Sequence, residues 1–252
     1  MSEPYGLETR SLTVRYGGVL ANDEVTITVP PGSITGLIGP NGAGKTTLLD
    51  AVTGFAPSTG DVRLNGTPLS GLPPHRRTGR GLARTWQSLE LFDELTVREN
   101  VQVAATALTV RSMLIDLVWP GRRRTTADPG DALALLGLES LADRRPSSLS
   151  LGQQKLVGVA RALAGSPSCL LLDEPAAGLD TGESAELGRR LDAIARRGTA
   201  VLLVDHDMDL VLAVCSHVYV LDFGRVIAAG TPSAIRGDER VIGAYLGSAV
   251  AA

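Results

Sequence analysis

Gly39-Pro-Asn-Gly-Ala-Gly44-Lys45-Thr46 follows the apolar run Ile34–Ile38 and opens a helical pattern over Lys45–Val52. A strand that breaks into a glycine loop and restarts as a helix narrows the possible folds more than any other feature of this chain. Glycines let successive backbone N–H groups turn toward one anion, and the helix N-terminus adds its positive end. The run fits GxxxxGK[ST] in the strand–loop–helix context that pattern requires. Lys45 then supplies a mobile cation for β and γ phosphates, and the Thr46 hydroxyl is placed to ligate Mg²⁺. Gly39, Pro40, Asn41, Gly42, Ala43, Gly44, Lys45, Thr46 and Thr47 are the expected phosphate-binding residues. The segment implies nucleoside triphosphate binding and leaves kinase, GTPase and ATPase chemistry open.

A second run, Leu170-Leu-Leu-Asp173-Glu174-Pro175, puts two acids directly after a buried strand. An acid there costs desolvation energy unless it is paired or holds a metal. Asp173 reads as the Mg²⁺ partner and Glu174 as the base that polarises an attacking water. The plainer reading is two solvated acids at a strand end, in a turn begun by Pro175.

The rest of the chain is organised around these two elements. From Leu7 to about Thr85 short β segments alternate with glycine turns: Ser11–Arg15, Val25–Val29, Ile34–Ile38 and Val62–Leu64, punctuated by Gly32, Gly60 and Gly66. From about Gln87 to Ser148 the period is helical, with candidates Leu95–Ala107 and Ala132–Leu141. Beyond Leu149, the apolar runs Cys169–Leu172, Ala200–Val204 and Val218–Leu221 alternate with helices such as Thr181–Arg197. Such runs suit parallel strands covered on both faces. The expected fold is α/β: a nucleotide-binding core with a mostly parallel sheet, an antiparallel β subdomain and an inserted α-helical subdomain. Core and β subdomain take 7–86 and 149–252, and the helical lobe about 87–148.

Apolar residues are 44 % and charged residues 20 % of the 252, with a formal net charge of −3. No basic stripe marks a nucleic-acid surface, so no nucleic-acid partner is expected. No apolar run nears the roughly 20 residues that cross a bilayer, and Met1–Gly6 lacks a leader pattern. The expectation is a chain soluble when isolated, with any membrane role arising through partners. Cys169 and Cys215 lie in separate apolar runs and read as small buried hydrophobes. His75 and His217 carry no partner pattern.

Leu149-Ser150-Leu151-Gly152-Gln153, before a helix at Lys155–Leu163, resembles the LSGGQ signature of ABC ATPases, with Leu151 in place of the middle glycine. Other marks of that family stand in order. Gln87 ends Arg84-Thr-Trp-Gln as the Q-loop glutamine does, and Ala176-Ala-Gly-Leu-Asp180 looks like the D-loop. His206 in Val204-Asp-His-Asp looks like the switch histidine. Tyr16, 29 residues before Lys45 (45 − 16), stands where the family places an aromatic that stacks on adenine. The resemblance covers about Leu7 to Leu246. It implies ATP hydrolysis with ATP and Mg²⁺ as cofactors. Lys45, Gln87, Glu174 and His206 would be catalytic; Thr46, Gln87 and Asp173 would hold the metal. Tyr16, Ser150, Gly152, Gln153 and Asp180 would touch nucleotide beside the phosphate loop. Ser150 and the backbone around Gly152 would form a second γ-phosphate cradle facing the phosphate loop of another cassette in a head-to-tail dimer. Plainer readings remain: Gln87 as a loop amide, Tyr16 as a strand aromatic, His206 as a neighbour of a helix cap.

Longer wording narrows the branch. Gly54-Phe, Gly71-Leu-Pro-Pro-His, Gly81-Leu-Ala-Arg-Thr-Trp-Gln, Leu91-Phe-Asp-Glu-Leu-Thr-Val-Arg-Glu-Asn, Asp205-His-Asp-Met and Val241-Ile-Gly-Ala-Tyr-Leu-Gly look like branched-chain amino-acid import ATPases. That resemblance implies a second ATPase cassette, two membrane permease subunits and an external solute-binding protein, with this subunit peripheral on the cytoplasmic face of the cell membrane. Amide and urea importers share the pattern, and an exporter or a soluble ABC ATPase are the other readings. Residues around Ser88–Leu95 are candidates for the permease groove. Val110–Pro120 with Arg122–Arg124 reads as lobe packing or as a permease- or lipid-facing segment.

Overall fold

The computed structural model describes residues 6–86, 90–105 and 129–249. Gln87, Val110–Pro120 and Arg122–Arg124 lie outside them. The chain divides into two compact units, Met1–Ser88 with Pro167–Ala252 and Leu89–Ser166.

In the first unit the strands are β1 (Leu7–Tyr16), β2 (Val19–Val29), β3 (Ile34–Ile38), β4 (Thr59–Leu64), β5 (Thr67–Pro68), β6 (Leu82–Arg84), β7 (Cys169–Asp173), β8 (Ala200–Val204), β9 (His217–Asp222) and β10 (Arg225–Gly230). Among the described residues they form two sheets, ordered β2-β1-β4-β5 and β10-β9-β3-β8-β7-β6. The first is antiparallel, and in the second only β10 runs antiparallel to its neighbour. Every residue of β3, β7 and β8 is buried, as expected of strands covered on both faces. Helix α1 (Lys45–Thr53) shares one apolar core with both sheets: Leu48, Leu49 and Val52 join Leu12, Ile27 and Val62 of the antiparallel sheet and Leu37, Leu171 and Leu202 of the parallel one. A short α2 (Pro74–Thr78) follows β5.

β1 is longer than the alternation in the sequence suggests. Its register with β2 slips between Thr9 and Leu12, where Ser11 takes φ 45°. This irregularity resets the two-residue period, so the apolar pattern is legible only beyond it.

The second unit holds α3 (Val97–Ala105), α4 (Pro129–Leu136) and α5 (Leu151–Leu163), with 3-10 turns at Glu139–Leu141 and Pro146–Ser148. Helix α3 begins at Val97, not Leu95, because Thr96 and Glu99 close a reciprocal cap: the Glu99 amide donates to Thr96 Oγ1 (3.2 Å) and the Thr96 amide to Glu99 Oε2 (2.8 Å). α4 stops at Gly137, whose φ of 68° ends the helical path, so the expected Ala132–Leu141 splits into a helix and a 3-10 turn. Helix α5 starts at Leu151, four residues before the expected Lys155. It packs on α3 and α4, and the compact helical unit therefore extends past 148 to Ser166.

The remaining helices belong to the first unit: α6 (Thr181–Arg196), α7 (Met208–Val214), α8 (Pro232–Arg236) and α9 (Glu239–Ala249). No helix among the described residues is long and apolar enough to cross a membrane. Both cysteines are buried, which raises each thiol pKa, that of Cys215 to about 12.

Candidate functional site

Parallel strands of one sheet deliver their carboxyl ends to one edge, where crossing loops can present polar groups together. β3 ends there in the phosphate loop, β7 in Asp173 and Glu174, and β8 in Asp205 and His206. A cleft of about 400 Å³ opens at this edge, lined by residues 41–47 with Glu174, and by Val19, Leu20, Ala21, Phe223 and Gly224.

The loop's shape depends on Gly39. Its φ is 153°, and a Cβ there would stand 2.0 Å from the carbonyl oxygen of Leu221. Only glycine permits that approach. Lys45 is 7 % exposed and folds back over the loop, its Nζ donating to the carbonyls of Gly39 (2.7 Å) and Pro40 (3.0 Å). Burial lowers the Lys45 pKa, while Glu174, Asp173 and Asp205 act against that shift. Thr46, the next residue, is exposed to the cleft.

The two acids at the end of β7 differ sharply. Asp173 is buried and is gripped by Arg84, whose Nη2 lies 2.8 Å from its Oδ2. Nη1 of the same guanidinium pairs with Asp50 of α1 at 2.6 Å. Arg84 is itself 4 % exposed at its side chain and stacks on Trp86, 4.5 Å from the ring centroid. Burial raises the Asp173 pKa and Arg84 opposes the rise. Glu174 instead lines the cleft, on a backbone held at φ 48° by a 2.7 Å hydrogen bond from its amide to the Val204 carbonyl. A left-handed non-glycine residue is disfavoured and persists where the surroundings enforce it.

His206 Nδ1 lies 3.9 Å from Glu174 Oε2 and 3.7 Å from Asp205 Oδ1. Asp205 is fully buried and accepts three backbone N–H groups, from His206 (2.8 Å), Asp207 (3.0 Å) and Ala176 (2.9 Å). It thereby ties the turn after β8 to the turn after β7. Among the described residues no cluster of three His, Cys, Asp or Glu could hold a metal unaided. Thr46 and Asp173 offer hard oxygen donors, and a cation that keeps waters and takes phosphate oxygens needs no more from protein.

The structure thus brings together the loop residues, Asp173, Glu174 and His206. Tyr16 lies at the end of β1, 49 % exposed and paired with Val19, and is not among the residues lining the cleft. Asp180 caps α6, accepting from the Glu183 amide at 2.8 Å. In the helical unit Ser150 and Gln153 form a capping box at the start of α5: the Gln153 amide donates to Ser150 Oγ (3.3 Å) and the Ser150 amide to Gln153 Oε1 (3.1 Å). That box is why the helix begins at Leu151. Gly152 is buried and Leu151 is exposed. Within the same unit Asn100 holds the carbonyl and amide of Phe92, and Arg161 stacks on the Phe92 ring. The segment 90–95 is therefore a formed turn.

Sequence reading missed Arg84, Asp205 and Phe223. Arg84 and Asp205 were visible only as letters inside motifs, since their partners Asp50, Asp173 and Ala176 are brought near by folding. Phe223 had a local signal: Asp-Phe-Gly-Arg between two apolar runs is a two-residue hairpin turn.

The family model described as ABC transporter matches residues 22–177, and one described as branched-chain amino acid ATP-binding cassette transporter matches 225–251. The high-affinity branched-chain amino acid transport ATP-binding protein BraF of Pseudomonas aeruginosa is 39 % identical, covering 99 % of this chain and 100 % of its own. The lipopolysaccharide export system ATP-binding protein LptB of Escherichia coli (strain K12) is 36 % identical, covering 96 % of this chain and 97 % of its own. A crystal structure of a nucleotide-free ATP-binding cassette from an ABC transporter superposes with a TM-score of 0.84 at 30 % identity, covering 96 % of this chain and 98 % of that one.

Proposed function

This chain belongs to the ABC transporter ATP-binding family, whose cassettes are transport ATPases, and from that premise we propose that its own ATP hydrolysis energises uptake of branched-chain amino acids, or a related small polar solute, through separate permease subunits. The match over 225–251, outside the part common to ABC cassettes at 22–177, carries the choice of solute class.

Each role follows from the chemistry of its place. Lys45 leaves the carbonyls of Gly39 and Pro40 for the β and γ phosphates, exchanging two neutral acceptors for anionic ones. The loop amides and the N-terminus of α1 hold the same charge. Thr46 and Asp173 would hold Mg²⁺, which neutralises phosphate charge when bound. Gln87, outside the described residues, is assigned to that metal and the attacking water by its motif alone. Glu174 accepts the proton of the water that attacks the γ phosphate. His206, beside Glu174, donates to the charge developing there. Tyr16 would stack on adenine. Ser150, Gly152 and Gln153 of a second copy, with Asp180, would complete the site in a head-to-tail dimer. Closure of that dimer would be passed to two permeases supplied by an external solute-binding protein, with this subunit on the cytoplasmic face.

The test is reconstitution with the permease in liposomes containing ATP and Mg²⁺. Leucine, isoleucine or valine should accumulate with the wild type and not with Glu174→Gln. Accumulation of an amide or urea instead would remove the solute class and leave the ATPase reading standing. The identity to LptB favours one second reading, export, and outward movement of cargo in the same vesicles would establish it.

A further inference from the structure

Phe223 breaks a local rule without any structural return. It and Gly224 form the two-residue turn joining β9 to β10, between the paired residues Asp222 and Arg225. Both have positive φ, 41° for Phe223 and 78° for Gly224. A turn of that kind favours Asn or Asp followed by Gly, and a bulky residue at its first position is strained. The Phe223 side chain does not offset the strain by burial, since the residue is 88 % exposed. The residue nonetheless lines the cleft that holds Lys45 and Glu174.

The turn is also fixed against the phosphate loop. The Gly224 amide donates to the Ala43 carbonyl at 3.0 Å, and the Asp23 amide donates to the Gly224 carbonyl at 2.9 Å. A Cβ on Gly224 would stand 2.6 Å from the Ala21 carbonyl oxygen, so the hairpin sits flush on β2. Arg225 Nε pairs with Asp23 at 2.6 Å. An exposed ring is thus carried on a rigid support at a set place beside the triphosphate cradle. Val19, 67 % exposed, lines the same cleft from the start of β2. Strained residues that persist against local preference cluster at ligand contacts.

We propose that Phe223 is a nucleoside-binding residue, its ring covering the base or ribose of the nucleotide whose phosphates lie on the Lys45 loop. The inference deepens the nucleotide reading of the cleft and rests on it. An aromatic face suits any base, because every base has a π face.

Phe223→Asn tests it, because the variant moves stability and binding in opposite directions. Asn is at home in this turn, so the melting temperature of the nucleotide-free protein should rise by roughly 2–4 °C. Loss of stacking should weaken ATP binding, measured by calorimetry without Mg²⁺, by roughly 5- to 150-fold. Inorganic tripolyphosphate, which has no base or sugar, should bind both proteins alike. Phe223→Tyr should keep the wild-type ATP affinity. If Phe223→Asn does not fold, Phe223→Leu replaces it and should show the same loss for ATP alone. Unchanged ATP affinity overturns the proposal. An equal loss of ATP and tripolyphosphate also overturns it, because the hairpin would then be shaping the loop. Wild-type protein that binds neither probe would remove the nucleotide reading of the cleft itself.

Discussion

The phosphate cleft and the signature turn are both anion sites in prospect, yet they are built in opposite ways. In and beneath the cleft, buried polar groups draw on elements far away in sequence as well as on their own loops: Lys45 lies over its own loop facing three distant acids, Arg84 sits between Asp50 and Asp173, and Asp205 takes the Ala176 amide besides its two neighbours'. Arg84 meets Asp50 and Asp173, and Asp205 meets Ala176, only once the sheet is formed. The signature turn is satisfied within four residues, by Ser150 and Gln153 closing on each other. A charged cleft that is expensive to assemble is justified by binding a ligand, whereas a capping box is complete as a helix start. Its assignment to nucleotide therefore needs a second copy of the chain, and the two regions should respond differently to substitution.

Glu174→Gln should show the largest effect. It removes the proposed base but keeps the shape of the cleft, so hydrolysis should fall by about 10²- to 10⁴-fold, some 3 to 5 kcal/mol of barrier. ATP affinity should hold, as equilibrium dialysis of the variant would show. Wild-type turnover in the assembled transporter would separate the strained Glu174 backbone from catalysis.

Arg84→Met comes next and tests whether the cleft is as dependent on distant pairing as its geometry says. Removing one partner of a buried ion pair costs about 3–5 kcal/mol, because the acids left behind have lost their counter-charge. Asp173 is buried beside it and Asp50 is partly so. Urea unfolding should show that loss. A loss below about 1 kcal/mol would put the network on the level of a surface pair and blur the contrast.

Ser150→Ala probes the other side. As a cap alone, Ser150 contributes about 1 kcal/mol to the helical unit. If its hydroxyl also meets phosphate across a dimer, a hydrogen bond to a charged group worth about 1.5–3 kcal/mol is lost as well, roughly 10- to 100-fold in turnover. Hydrolysis by the assembled transporter, corrected for the folded fraction, distinguishes the two. Undiminished turnover would leave the signature turn as a helix cap.

How much of this was legible in the sequence follows the same division. The phosphate loop, the acids after β7 and the signature could be read because each is a contiguous string with a local geometry. Two of the three fully buried strands, β7 and β8, were readable from unbroken apolar runs, Cys169–Leu172 and Ala200–Val204. What could not be read was long-range or irregular. Arg84 meets Asp173 across 89 positions, and nothing local in Leu82–Arg84 announces it. The slip at Ser11 concealed half of β1. The start of α5 at Leu151 has a signal in the sequence, since Ser150 and Gln153 have the spacing of a capping box, but the same letters also fit a signature loop. Phe223 breaks the usual preference of a two-residue turn, and such a break is legible as function only once the cleft beside it is visible.

The smallest expected effect concerns Lys45 and the pH dependence of stability. Its folded-state pKa is lowered, chiefly by burial. Between that lowered value and the ordinary lysine value the unfolded chain binds more protons than the folded one, so stability rises with pH across that window. Below the window the cost of burying the ammonium is fully present. Phosphate would reverse the sign, because a bound polyanion favours the charged form and returns the pKa upward. Urea unfolding of the wild type against Lys45→Met, followed from neutral pH to about the lysine value of 10.4, should show this rise without nucleotide, and the rise should shrink when ATP is bound. A profile for the wild type that parallels Lys45→Met would mean that Gly39 and Pro40 already compensate the charge. The cleft would then be as self-sufficient as the capping box, and the contrast between the two regions would fail at its buried cation.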